Sequence, residues 1–233
     1  MEFLNSLSSL WSGVSKAFAP IASAFAPVLQ NSPLMQKLMP ILAVVIPPPF
    51  DVIAVVALEV ISATMGKPEN PEELGWQMNM ADKKPEDFDS VDDYRAYLDK
   101  EYPFDADAFN AQTDEQKAAC RYAGMAGVVH ELSGMKDLDP KLTPAALGVL
   151  AGTATSLGWS PETTKAFTQG LLTAFGGSGA LLNQLGSFGK GELSVDGESK
   201  IEDGIKAGAK AAGMSETSTV DAFRETAANL ESV

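Results

Sequence analysis

Residues Met35 to Gly66, MQKLMPILAVVIPPPFDVIAVVALEVISATMG, are the most apolar stretch of the chain, and Pro47, Pro48 and Pro49 cut it in two. Proline removes a backbone donor, clashes with the preceding turn and drives the residue before it out of helical geometry. One continuous helix is therefore excluded. A membrane span needs about 20 predominantly apolar residues. Residues 38–50 are too few for that, and residues 52–66 carry Glu59. The pattern predicts a helical hairpin: one helix near 34–46, a polyproline corner, Asp51 as N-cap, and a second helix over 52–65 closed by Gly66. Each arm spans roughly 20 Å at 1.5 Å per residue. Such arms suit dipping into one leaflet or filling a protein core, not crossing a bilayer.

The residues before the hairpin extend the apolar unit. Phe3, Leu7, Leu10, Val14, Phe18, Ile21, Phe25 and Val28 recur at spacings of three and four, the signature of one helical face, and Trp11 flanks it. AFAP occurs at 17–20 and again at 24–27, so Pro20 and Pro27 break this face into a helix over 3–18 and shorter kinked segments. The N-terminus does not read as a cleaved signal peptide. It has no basic n-region, Glu2 sits where one belongs, and Ser and Asn interrupt the apolar run. The residues expected to meet a membrane or a hydrophobic partner are Phe3, Leu7, Leu10, Trp11, Val14, Phe18, Ile21, Phe25, Val28, Ile46, Phe50 and Val52.

Charge separates this front end from the rest. Residues 1–66 hold two bases and three acids, whereas residues 67–233 hold 15 bases and 28 acids. With a net charge of −14 and no basic patch, the chain repels phosphate backbones, which argues against nucleic-acid binding. It also disfavours electrostatic docking on anionic lipid, so any membrane attraction must be hydrophobic.

The acidic body reads as helix after helix. Pro71 with Glu72 and Glu73 is a helix opening, Ser90 starts a second helix ended at Tyr102-Pro103, and Thr113 with Gln116 has capping-box spacing. The long helix that follows, to about Leu132, carries Ala119, Ala123, Gly124, Ala126 and Gly127, small residues that let another helix approach closely. Thr143-Pro144 and Ser160-Pro161 open helices of about 144–157 and 161–175. A short helix is expected near 179–186, a loop over 186–197, and final helices near 198–212 and 217–231. No sustained period-two pattern exists, so a sheet is not expected. The fold class is all-α: a multi-helix bundle with an apolar N-terminal helix and helical hairpin (residues 1–66), followed by an acidic all-helical domain (67–233) with a sub-boundary near 134–143.

Candidate chemistry is sparse. Cys120 is the one cysteine and His130 the one histidine. On one helix, ten residues apart, they stand about 15 Å apart along the axis and cannot form a nucleophile–base dyad. Gly176-Gly-Ser-Gly179 and Gly186-Ser-Phe-Gly-Lys-Gly191 lack the Gly-Lys-Ser/Thr ending of a phosphate loop and read as helix-ending loops. Asp87-Phe-Asp89-Ser-Val-Asp92 begins like a calcium loop, but the glycine and closing glutamate are missing, so a solvated acidic face is the better reading. No catalytic residue, metal or cofactor is assigned.

The expectation is a non-enzymatic helical protein whose apolar N-terminal region engages a membrane or a hydrophobic assembly partner. Proteins delivered by phages or bacterial injection machines, and membrane-active helical toxins, share this arrangement as an analogy of design. The alternative is a soluble scaffold protein with residues 1–66 buried in its own core or in a homo-oligomer interface. The expected location is membrane-associated or cytoplasmic.

Overall fold

The computed structural model describes Leu42 and residues 51–66, 69–133, 139, 142–176 and 180–231. Among the described residues there are ten α-helices and no strand: α1 (Asp51–Thr64), α2 (Pro71–Met80), α3 (Val91–Glu101), α4 (Ala106–Asn110), α5 (Asp114–Ser133), α6 (Thr143–Ser156), α7 (Pro161–Ala174), α8 (Ala180–Phe188), α9 (Val195–Ala211) and α10 (Glu216–Glu231). The all-α class follows. The helix expected over 3–18 and the corner at Pro47–Pro49 lie outside the described residues, as does the arm over 34–46 apart from Leu42.

Two compact units form. The first holds Leu42 and residues 70–131, and the second holds residues 51–69 with 132–231. Within the first, Pro71 opens α2 as its first residue, and the Asn70 side chain caps it by accepting from the Glu72 and Glu73 N–H groups at 2.9 and 3.2 Å. Ser90 caps α3. Thr113 and Gln116 exchange reciprocal side-chain–backbone bonds of 2.9 and 3.3 Å at the start of α5, the capping box their spacing implies. The small-residue face of α5 is used as its composition suggests. A Cβ at Gly75 of α2 would lie 1.7 Å from the Cys120 carbonyl oxygen, and one at Gly124 of α5 would lie 1.6 Å from the Pro71 carbonyl oxygen. The two backbones touch. Glu72 and Arg121 close the same seam with a 3.2 Å ion pair. Between α2 and α3, buried Gln77 donates to Asp99 and accepts from Arg95.

In the second unit α6 takes α1, α8 and α10 as neighbours, while α7 packs on α1 and α9. Rings fill its middle. Trp159 lies 4.6 Å from Phe167, which stacks 5.4 Å from Phe223. Gly158 supports Trp159 by taking a φ of 64° at the end of α6, a left-handed conformation that side chains resist. The Thr153 hydroxyl of α6 donates to the Thr226 hydroxyl of α10 at 3.2 Å.

Three elements depart from the sequence reading. The Asp-rich stretch after Tyr102 contains α4, capped by Asp105 and anchored by buried Phe109. The loop expected over 186–197 is shorter, because α8 continues to Phe188 and Ser194 caps α9 three residues earlier than expected. Gly186 remains helical against the start of α6, where a Cβ would sit 2.3 Å from the Leu142 carbonyl oxygen. Asp51 is the first residue of α1 itself, one place inside the cap position expected of it. It still lies in the first turn, where a negative charge suits the positive end of the helix.

Candidate functional site

The contact surface expected from sequence lies almost wholly outside the described residues: Phe3, Leu7, Leu10, Trp11, Val14, Phe18, Ile21, Phe25, Val28, Ile46 and Phe50 all do. Val52 is described. It is the second residue of α1 and is 37% exposed. Most of α1 has the opposite fate. Ala54, Val55, Ala57, Leu58, Val60 and Ile61 are buried, and the helix packs on α6 and α7. Its partly open side is a stripe of Val52, Val56, Glu59 and Ala63, four residues at helical spacing. Leu42, the described residue of the first arm, is helical and fully buried. Among the described residues no helix is long and apolar enough to cross a membrane.

The groups with nucleophilic or ligand chemistry are spent locally. The Cys120 thiol is buried beside α2, its pKa is pushed up to about 12 by that burial, and it donates to Gln112 Oε1 at 3.6 Å. A thiol so held is not a thiolate at neutral pH. His130 is exposed near the end of α5. Of the acids in the calcium-like stretch, Asp87 accepts the Lys84 N–H at 2.9 Å and closes a short 3-10 turn at Pro85–Asp87. Among the described residues no three His, Cys, Asp or Glu side chains are grouped to hold a metal ion.

One constellation escaped the sequence reading. The 3-10 turn swings Phe88 back onto α3, where its ring centroid lies 5.2 Å from Tyr94 and 5.1 Å from Tyr97. Tyr102 stands edge-on to Tyr97 at 5.8 Å. The Asp82 carboxylate accepts from both the Tyr97 and the Tyr102 hydroxyl, and the Asp82 N–H donates to the Tyr102 oxygen at 3.3 Å. The bond from Tyr97 and then that from Tyr102 hold the Asp82 carboxyl below the usual carboxylate range. Desolvation and the Asp82 bond raise the Tyr97 hydroxyl in turn. Lys83 lies over the array, its ammonium 5.3 Å from the Tyr97 centroid and 5.8 Å from that of Phe88. In the sequence Tyr94 and Tyr97 are visible only as residues of the helix that Ser90 starts. The missing signal was the return of Phe88, which needs the Pro85 turn.

No protein-family model, curated protein or solved structure matches the chain.

Proposed function

We propose that this chain is a non-enzymatic helical protein whose apolar residues 1–50 engage a membrane or a hydrophobic assembly partner, with two acidic helical units as the body that carries them. The observation behind this reading is the burial of α1 against α6 and α7. It takes residues 51–64 out of the apolar surplus, which supports seeking the contact region in residues 1–50 with Val52 beside them. The large apolar side chains that stand well exposed among the described residues are Val52, Met80, Leu157 and Val195, on four different helices or helix ends. Among the described residues no large apolar patch competes for this role.

The experiment compares the full chain with one beginning at Pro49, which keeps α1. Co-sedimentation with zwitterionic vesicles and light scattering are read on both. On this proposal the full chain pellets with vesicles or self-associates, and the shorter chain stays folded, monomeric and unbound.

Leu42 favours a second reading, in which the front end is itself core and the protein is a soluble scaffold: it is 0% exposed. Under that reading the shorter chain unfolds or aggregates and the full chain ignores lipid.

A further inference from the structure

Lys83 marks a place where this protein already holds a cation over aromatic rings. Its ammonium is shared between the faces of Tyr97 and Phe88, and a ring face attracts positive charge through its quadrupole. The rings do not depend on Lys83 for their position. Tyr97 and Tyr102 are tied to the Asp82 carboxylate, and Phe88 is wedged against Tyr94, which is buried in the first unit. Phe88, Tyr97 and Tyr102 are each half-buried, so the rings are fixed but not covered, while Lys83 is exposed on a flexible stem. An exposed lysine over fixed rings is a replaceable occupant.

We propose that this ring array is a docking site for an arginine side chain of a basic polypeptide partner, and that Lys83 is the resident cation which the incoming guanidinium displaces. A guanidinium is planar and weakly hydrated, so it stacks on rings better than an ammonium does. The surroundings match a basic partner. Between Asp82 and Tyr102 there are eight acids and four bases, and two of those bases, Arg95 and Lys100, already pair with Asp99 and Glu101. The acids alone would be a solvated face. The cation already seated over two rings is what gives the surface a defined ligand chemistry. The same charge that draws a basic peptide repels a nucleic acid.

The test is calorimetric titration of the full chain with an oligoarginine peptide at moderate salt. Lys83→Ala vacates the rings and tightens binding about threefold, the size of an exposed cation–π contact. Lys84→Ala makes the same charge change one residue away, at a lysine that stands over neither Phe88 nor Tyr97 among the described contacts, and shifts binding by well under half as much. Phe88→Leu keeps the apolar bulk, removes one ring face and weakens binding about threefold. Because Lys83 is exposed, its variant folds normally and reports on the site alone. Equal effects of Lys83→Ala and Lys84→Ala would reduce the site to general electrostatics and overturn the proposal, as would no measurable binding of the peptide.

Discussion

In the first unit the seam between α2 and α5 is backbone against backbone, whereas in the second unit the seam between α7 and α9 adds a ring contact at Gly204 to backbone contacts at Gly170 and Gly208. Both rely on glycine. Gly75 and Gly124 meet the carbonyl groups of Cys120 and Pro71, groups that cannot move without moving a helix. Gly204 of α9 meets the Phe175 ring and the tip of Leu171, with Phe175 half-buried at the end of α7. A backbone seam fixes two helices at one spacing and has no slack. A ring contact can give by about an ångström, the shift Phe175 needs here, because a side chain can swing about its own torsions without moving a helix.

Substitutions should separate the two in order of size. Gly124→Ala puts a methyl 1.6 Å from a carbonyl oxygen, and the gain in helix propensity, about 1 kcal/mol, cannot offset the displacement of α2. Urea unfolding of this variant should show a loss of about 3 kcal/mol or more. Gly204→Ala meets mainly the Phe175 ring, at 2.2 Å. Ring rotation and the propensity gain together hold its cost to about 1 kcal/mol in the same assay. If the two variants lose equal stability, the distinction between the seams fails.

The helix starts offer a finer comparison. In the first unit α5 opens with two reciprocal bonds, Thr113 with Gln116, while α9 of the second opens with one, the Gly197 N–H to the Ser194 hydroxyl at 3.3 Å. Thermal unfolding should show Thr113→Ala combined with Gln116→Ala, which together remove both bonds, costing about 1 kcal/mol and Ser194→Ala about half of that.

The smallest effect is one of pH. Asp82 in the first unit is held below its ordinary range by the Tyr97 and Tyr102 hydroxyls. A carboxyl depressed by folding contributes stability that is present above its unfolded value, near pH 4, and is lost as pH falls through its folded value. The melting temperature of Asp82→Asn should therefore lie below that of the unaltered chain at pH 7, and the gap should narrow as the pH is taken below 4. A gap constant with pH would mean that the tyrosine bonds contribute nothing through the charged form.

Features set by near neighbours were legible in the sequence. Pro71, Ser90, Thr113, Ser160 and the small residues of α5 act within one turn or along one face, and they stand where their types predict. Three kinds of feature were not. Helix α4 spans five residues, too few to display a period. The ring array joins Phe88 to Tyr97 through a turn whose direction no periodicity reveals. The assignment of α1 is the most instructive case. Its composition groups it with the apolar residues before it, but its packing partners lie some 80 to 120 residues further on, in α6 and α7. Apolar content tells a helix to be buried without saying against what.

The claim that α1 is a core helix, so that the proposed contact region ends beside it, can be tested within that one helix. Leu58 is fully buried and Val52 is 37% exposed, on the same fourteen-residue element. Leu58→Asp and Val52→Asp bring in the same charge, and both are compared by thermal unfolding of the full chain. Leu58→Asp should unfold the second unit or cost several kcal/mol, about 3 or more, because an unpaired charge is forced into the core. Val52→Asp should stay within about 1 kcal/mol of the unaltered protein. Equal, small losses from both would contradict the account of α1 as a core helix.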